Sequence, residues 1–271
     1  MNTTPLIAFI GGGNMATAIM GGLLRQGREP ASILVIDPGD AQRERLGALG
    51  LRTQPIADGA LGEAATVVWA VKPQQFKDAA QAVSAFTGQA LHYSVMAGLR
   101  TGDMARWLGT GRIVRAMPNT PALVGLGVTG LFARDEVDAA ERAGIEALVK
   151  PTGALLWVEQ EAQLDAVTAM SGSGPAYVFY FIEAMMQAGT EMGLSSEQSR
   201  TLALATFAGA TALASQSEES PAELREKVTS KGGTTYAALT HMASAGIKEQ
   251  FVQAMQAARQ RAGELGDEFG Q

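Results

Sequence analysis

A change of hydrophobic period near residue 160 constrains this chain more than any other feature. Before it, short β-rich runs at 6–10, 33–36, 66–71, 91–95, 113–116, 128–132 and 155–157 alternate with helical stretches near 15–26, 41–49, 74–86, 101–108 and 136–150. That alternation implies parallel strands joined by helical crossovers, hence a doubly wound α/β sheet. The last strands are expected to pair differently, because 116–128 is a Pro- and Gly-rich loop with no helix in it. After Glu161 the strand signals stop, and 161–170, 175–192, 196–215, 221–228, 234–245 and 248–265 all read as helices. Two domains are therefore expected, 1–160 and an all-helical 161–271.

The first strand runs directly into Gly11-Gly12-Gly13-Asn14-Met15-Ala16, a G-x-G-x-x-A spacing, and helical periodicity follows at Ile19, Met20, Leu23 and Leu24. Strand, turn and helix in that order are the context a dinucleotide fingerprint needs. Gly11 would allow the tight turn, Gly13 the close approach of a pyrophosphate, and Ala16 the packing of helix on strand. The second strand ends in Asp37, where a ribose-binding acid is expected. A glycine turn without a ligand is the plainer alternative. The 1–160 segment is read as a Rossmann-like dinucleotide-binding domain.

Ligands in such sheets bind beyond the carboxyl ends of the strands. Three further segments fall there. Ala70-Val71-Lys72-Pro73 offers Lys72 to a phosphate or ribose. Met96-Ala97-Gly98 places small residues where a nicotinamide ring needs close backbone approach. Arg115-Ala116-Met117-Pro118-Asn119-Thr120-Pro121 offers Asn119 and Thr120 as partners for a carboxamide or ribose. For each, an ordinary turn with a solvated polar residue is the competing reading. His92 reads as structural, and His241 has no acid partner in sequence.

Near the C-terminus, Ser230-Lys231-Gly232-Gly233-Thr234-Thr235 precedes a helical run. Paired glycines let successive N–H groups turn toward one point, and a helix N-terminus adds free donors there. Ser230, Thr234 and Thr235 add hydroxyls without charge. Such a cradle suits a small carboxylate with a neighbouring polar atom; a turn that merely starts a helix is the alternative. Upstream, Ser220-Pro221-Ala222-Glu223 is a capping box, and Glu218 beside it reads as solvated charge.

Composition narrows the field. With 21 Lys and Arg against 27 Asp and Glu, a net charge of −6 and no basic stripe, the chain does not read as a nucleic-acid binder. No cysteine and only two histidines leave no thiol chemistry and no expected metal site. Neither a signal peptide nor an apolar run of membrane-spanning length is evident, so a cytoplasmic protein is expected. Met170, Met185, Met186, Met192, Met242 and Met255 read as core or subunit-interface residues. A small alanine-rich helical domain suggests a dimer or larger assembly.

Assembled, these segments resemble the pyrroline-5-carboxylate reductases, which perform the last step of proline synthesis. The resemblance spans essentially the whole chain. It rests on 10–16, 70–73 and 115–121, and most specifically on Ser171-Gly172-Ser173-Gly174-Pro175-Ala176-Tyr177 and the signature around 230–239. It implies reduction of 1-pyrroline-5-carboxylate to L-proline with NADPH or NADH, in homo-oligomers built from dimers whose sites combine both subunits. Gly11, Gly13, Asn14, Met15, Ala16, Asp37, Ala70, Val71, Lys72, Pro73, Ala97, Gly98, Asn119 and Thr120 would meet the cofactor. Backbone donors at Gly232, Gly233 and Thr234 would hold the substrate carboxylate, with Ser230 and Glu218 lining the pocket. Thr235 would lie near the ring nitrogen as donor or proton source.

Two positions depart from the family habit. Lys231 stands where many members have proline. Asp37 favours a free ribose diol and repels a 2′-phosphate, with Arg43 and Arg45 close enough in sequence to compensate, so the choice of dinucleotide stays open. β-Hydroxyacid dehydrogenases share the two-domain plan, but they resemble one another in a lysine that 175–192 lacks. A sensor that binds the dinucleotide without turnover is the rival from another class.

Overall fold

The computed structural model describes residues 4–270. Its eight-stranded sheet has the order β3-β2-β1-β4-β5-β6-β7-β8. The strands are β1 Leu6–Ile10, β2 Ile33–Ile36, β3 Arg52–Gln54, β4 Ala64–Trp69, β5 Leu91–Ser94, β6 Ile113–Met117, β7 Gly127–Ala133 and β8 Gly153–Trp157. β1 to β6 pair in parallel. The helices among them are α1 Asn14–Arg25, α2 Asp40–Gly47, α3 Phe76–Thr87, α4 Thr101–Leu108 and α5 Ala139–Val149. The doubly wound α/β class expected from the alternation is what the chain forms.

Burial on both faces explains why β1 and β2 are continuous apolar runs. Along β1, Ile7 and Phe9 face a core completed by Ile19, Met20 and Leu23 of α1 and by Ile145, Leu148 and Val149 of α5. Leu6, Ala8 and Ile10 face the opposite core, with Phe76, Ala80 and Val83 of α3 and Met104 and Leu108 of α4. The period of two in a strand divides one pentapeptide between two cores.

Two features of the sheet depart from simple winding. β7 runs antiparallel to β6, because residues 118–126 are too few for a crossover helix and form only a 3₁₀ turn, Thr120–Val124. β8 returns parallel to β7 through α5. The edge strand β3 carries Arg52, Thr53 and Gln54, half-buried polar residues with no apolar alternation. Such an edge is blunted against pairing with other chains, and the same polarity hides it from a hydrophobic-pattern reading.

Contacts divide the chain into two compact units, 1–173 with 258–271, and 174–257. In the first, α6 Gln163–Val167 passes into a π-helical turn, Thr168–Gly172, where the sequence suggested a plain helix to 170. A partly buried ion pair ties this region to the sheet. Arg115 on β6, 4% exposed, donates to the Glu161 carboxylate at 3.0 Å. That carboxylate also accepts the backbone N–H and the hydroxyl of Thr101, each at 2.7 Å, so it caps the uncapped start of α4 from across the fold.

The second unit contains α7 Gly174–Glu191, α8 Ser196–Gln216, α9 Pro221–Lys227, α10 Thr234–Ser244 and the first part of α11 Ile247–Phe269. α8 and α9 each start with a reciprocal capping box, Ser195 with Gln198 and Ser220 with Glu223. Gly189 of α7 lies against Ser199 of α8 so closely that an added Cβ would stand 2.6 Å from the Ser199 Oγ. Met170, Met185, Met192 and Met242 are exposed, so they are not core residues of the single chain. Among the described residues no helix is long and apolar enough to cross a membrane.

His92 on β5 is fully buried, and its Nδ1 accepts a hydrogen bond from Trp69 Nε1 at 3.0 Å. Burial pushes its pKa down to about 4, opposed by the Thr87 backbone and assisted by the Arg112 charge. The imidazole is neutral at physiological pH and structural, as the sequence suggested. Because the folded pKa lies below the ordinary value of about 6.5, its contribution is complete above pH 6.5 and is lost as pH falls from 6.5 toward 4. That loss amounts to about 3 kcal/mol. Urea unfolding at pH 7 and pH 4.5 should show a smaller drop in stability for His92→Gln than for the wild type; equal drops would mean that His92 is not the group responsible.

Candidate dinucleotide cleft and anion cradle

A cleft of about 540 Å³ opens at the carboxyl ends of β1, β2 and β4. β1 lies between β2 and β4, so the winding reverses beside it, and this is the position where doubly wound sheets take ligands. Gly11, Gly12, Gly13, Asp37, Ala70, Val71 and Lys72 line it.

Each glycine in the turn has its own reason. Gly11 has φ +92°, and a Cβ there would stand 2.7 Å from the Ala70 carbonyl oxygen. Its N–H donates to the Ile36 carbonyl at 2.9 Å, while Ala70 N–H donates to Ile10 at 2.9 Å. The turn thus leaves β1 squeezed between its two neighbours. At Gly12 the N–H donates to Asp37 Oδ2 at 2.8 Å, and the carbonyl accepts from Thr17 Oγ1 at 3.2 Å and from the Gln42 side chain. Gly13 caps α1 with no side-chain hydrogen bond, and nothing lies within 4 Å of where its Cβ would be.

That open space, with the first-turn donors of Asn14, Met15 and Ala16 uncapped and no acid in the turn, fits a pyrophosphate at the start of α1. Asn14 is exposed, Met15 half-buried, and Ala16 fully buried against the sheet. Further along the cleft, Pro38, Ile56, Ala79, Ala82 and Val83 make an apolar slot beside Asp37, suited to a flat purine. Of these, Ala79, Ala82 and Val83 carry the helical spacing of a core face, which hides them as cleft residues in the sequence. The donor set and the slot together fit a dinucleotide.

The other strand ends are less uniform. Lys72 is exposed on the cleft, and Pro73 starts the 3₁₀ turn behind it. Ala97 is exposed after β5, but Gly98 is buried, and a Cβ on it would meet Phe269 of α11 at 2.9 Å. Its smallness therefore serves helix packing. Asn119 likewise has partners within the fold. It is 9% exposed, its Oδ1 accepts from Val128 N–H at 2.9 Å, and its Nδ2 donates to the Ser171 carbonyl at 3.2 Å. Its carboxamide braces β7 against the π-helical turn, while Thr120 next to it is exposed.

In the helical unit, Ser230, Gly232, Gly233, Thr234 and Thr235 come together in one turn. Gly232 has φ +77°. Gly233 donates to the Ser230 carbonyl at 3.0 Å and serves as the N-cap of α10 without a side-chain bond. The first donors of an eleven-residue helix therefore emerge uncapped beside three hydroxyls. Ser230 and Thr234 are exposed and Thr235 half-buried. Glu218 lies apart in sequence from this turn, exposed ahead of α9, where the adjacent Glu219 pairs with Lys227. His241 is exposed on α10. Among the described residues no group of three or more His, Asp or Glu side chains could hold a metal ion.

Known proteins resemble this chain in sequence and fold. Residues 161–265 match the family model for pyrroline-5-carboxylate reductase dimerisation, and residues 6–98 match that for NADP oxidoreductase, coenzyme F420-dependent. The chain is 44% identical to the pyrroline-5-carboxylate reductase of Pseudomonas aeruginosa, over 99% of this chain and 100% of that protein. Among solved structures, a pyrroline-5-carboxylate reductase from Coxiella burnetii matches with a TM-score of 0.90 at 38% identity, covering 97% of this chain and 99% of that one. Plasmodium falciparum pyrroline carboxylate reductase with NADP bound matches with a TM-score of 0.87 at 26% identity, covering 97% and 98%.

The two outer glycines of the turn should respond in opposite ways to one added methyl. Gly11→Ala places it against backbone at positive φ and should lower stability by more than about 1 kcal/mol. Gly13→Ala should change stability by less than about 1 kcal/mol yet weaken dinucleotide binding about tenfold, since its methyl occupies the pyrophosphate space. Thermal melts and nicotinamide fluorescence titrations check both; equal behaviour of the two variants would contradict the assignment.

Proposed function

Because the chain belongs to the pyrroline-5-carboxylate reductase family, we propose that it reduces 1-pyrroline-5-carboxylate to L-proline with NADPH or NADH. The observation that carries this reading is the uncapped start of α10 inside a hydroxyl-bearing glycine turn, a shape that suits a compact carboxylate with a polar neighbour. We assign residues 1–160 to dinucleotide binding and 161–271 to substrate binding and dimerisation, and place the reaction in the cytoplasm, where a biosynthetic reductase draws on the nicotinamide pool.

A dinucleotide held by the glycine turn and Asp37 would supply hydride for the C=N carbon. The chain's own residues position the acceptor. N–H groups at Gly232, Gly233 and Thr234 hold the substrate carboxylate, and Ser230 and Glu218 shape the pocket around it. The Thr235 hydroxyl holds the ring nitrogen, which gains the electron pair of the broken π bond and keeps or receives a proton. Positive charge leaves the iminium as hydride arrives, so the site needs orientation and neutral donors more than a strong acid. The exposed set Asn14, Lys72, Ala97 and Thr120, with half-buried Pro73 and the backbone of Gly98 and Asn119, is assigned to the dinucleotide side.

We further assign the helical segment to a homodimer, the unit of any larger assembly. Phe179 and Tyr180 of α7, Leu202 and Leu213 of α8, and Met192 are exposed in the single chain, Met192 at 77%. Apolar surface of this extent marks an association site.

Two measurements test these assignments. Thr235→Ala should lower turnover roughly 10- to 100-fold, the worth of one hydrogen bond that orients the ring nitrogen, with the dinucleotide Kd unchanged. Wild-type turnover by that variant would remove Thr235 from the reaction, and no oxidation of either dinucleotide by the wild type with 1-pyrroline-5-carboxylate would remove the reaction itself. Light scattering should give at least twice the 28.2 kDa chain mass, and Phe179→Asp should shift it toward monomer; a monomeric wild type would refute the dimer.

A further inference from the structure

We propose that Asp37 makes the cleft selective for the dinucleotide whose adenosine ribose carries a free 2′-hydroxyl, so that NADH binds more tightly than NADPH. This deepens the proposed function and rests on its dinucleotide part. The apolar slot of Ile56, Ala79, Ala82 and Val83 adjoins Asp37 in the same cleft as the glycine turn. A purine in that slot and a pyrophosphate at Gly13 leave the intervening ribose beside the Asp37 carboxylate.

The carboxylate cannot withdraw without breaking the turn. Its Oδ2 accepts the Gly12 N–H and its Oδ1 the Gly39 N–H, both at 2.8 Å. Each carboxylate oxygen has two acceptor sites, so each keeps one for a hydroxyl of a vicinal diol. A 2′-phosphate would bring no donor at neutral pH and a charge of about −1.5 to −2 against a fixed anion.

The two arginines nearest in sequence already hold hydrogen-bond partners. Arg43 Nη1 donates to the Asp37 carbonyl at 2.7 Å, and Nη2 pairs with Asp40. Arg45 Nη2 donates to Thr17 Oγ1 at 3.0 Å. Neither arginine lines the cleft. Among the described lining residues the one cation is Lys72, which follows β4 while Asp37 follows β2. β1 lies between them, a separation of two strand spacings, about 10 Å.

The experiment is a pair of binding titrations on the full-length protein without substrate. Nicotinamide fluorescence should give a Kd for NADH at least about tenfold below that for NADPH, and Asp37→Ser should reduce that ratio by at least about tenfold. As a measure that needs no variant, 5′-AMP should displace NADH from the wild type at lower concentration than adenosine 2′,5′-bisphosphate. Tighter binding of NADPH, or of the bisphosphate, overturns the proposal, as does a ratio that Asp37→Ser leaves unchanged. No binding of either dinucleotide overturns it together with the cleft assignment. Binding in the expected order without reduction of 1-pyrroline-5-carboxylate overturns the reaction alone and leaves the preference standing.

Discussion

The Gly12 peptide is held at both ends, with its N–H on the Asp37 carboxylate and its carbonyl on the Thr17 hydroxyl and the Gln42 amide. One residue earlier, the Gly11 N–H is already part of the sheet through Ile36. Through this turn the end of β1, the end of β2, α1 and α2 are joined by direct hydrogen bonds. A carboxylate accepting two backbone N–H groups is a strong, charge-assisted anchor, and it fixes the direction in which α1 presents its free donors. The shape of the cleft follows from that direction. So does the placement of a negative charge on its wall, because the anchor and the wall are the same side chain.

Elsewhere in the sheet unit, buried polar groups serve structure. Arg115 and Glu161 link β6, the start of α4 and the approach to α6, and Asn119 spends its carboxamide on β7 and the π-helical turn. His92 is neutral and held by Trp69. What remains at the strand ends and at α10 is mostly backbone N–H and hydroxyl. Such groups orient a substrate and stabilise charge without transferring protons readily, which suits chemistry supplied by a bound hydride donor.

The helical unit differs in kind. α8 and α9 are well capped, yet buried apolar residues within the unit are few, and long side chains of α7 and α8 stand in solvent. Local signals thus suffice to start and stop each helix, while the burial that would stabilise them is not completed inside one chain. Small residues at Gly189, Ser199 and Ala203 bring α7 and α8 together, and the larger apolar side chains are left for an external surface.

Much of this was legible from the residues alone. β1 and β2 are unbroken apolar runs buried on both faces, and β4, β5 and β6 are short β-rich runs, so all five stood out, and each glycine–helix junction was marked by local chemistry. Asp37 at the end of β2 and the hydroxyl turn before α10 were visible because short-range backbone geometry demands those residue types at those spacings. β3 was not visible, since three polar residues become a strand only by lying beside β2. Nor were the commitments of Asn119, Gly98 and Arg43, whose partners are Ser171, Phe269 and Asp40 with the Asp37 backbone. Local propensity and periodicity are carried by neighbours along the chain and can be read in one dimension. Whether a polar side chain is free to meet a ligand depends on which distant group reaches it first, and only folding decides that.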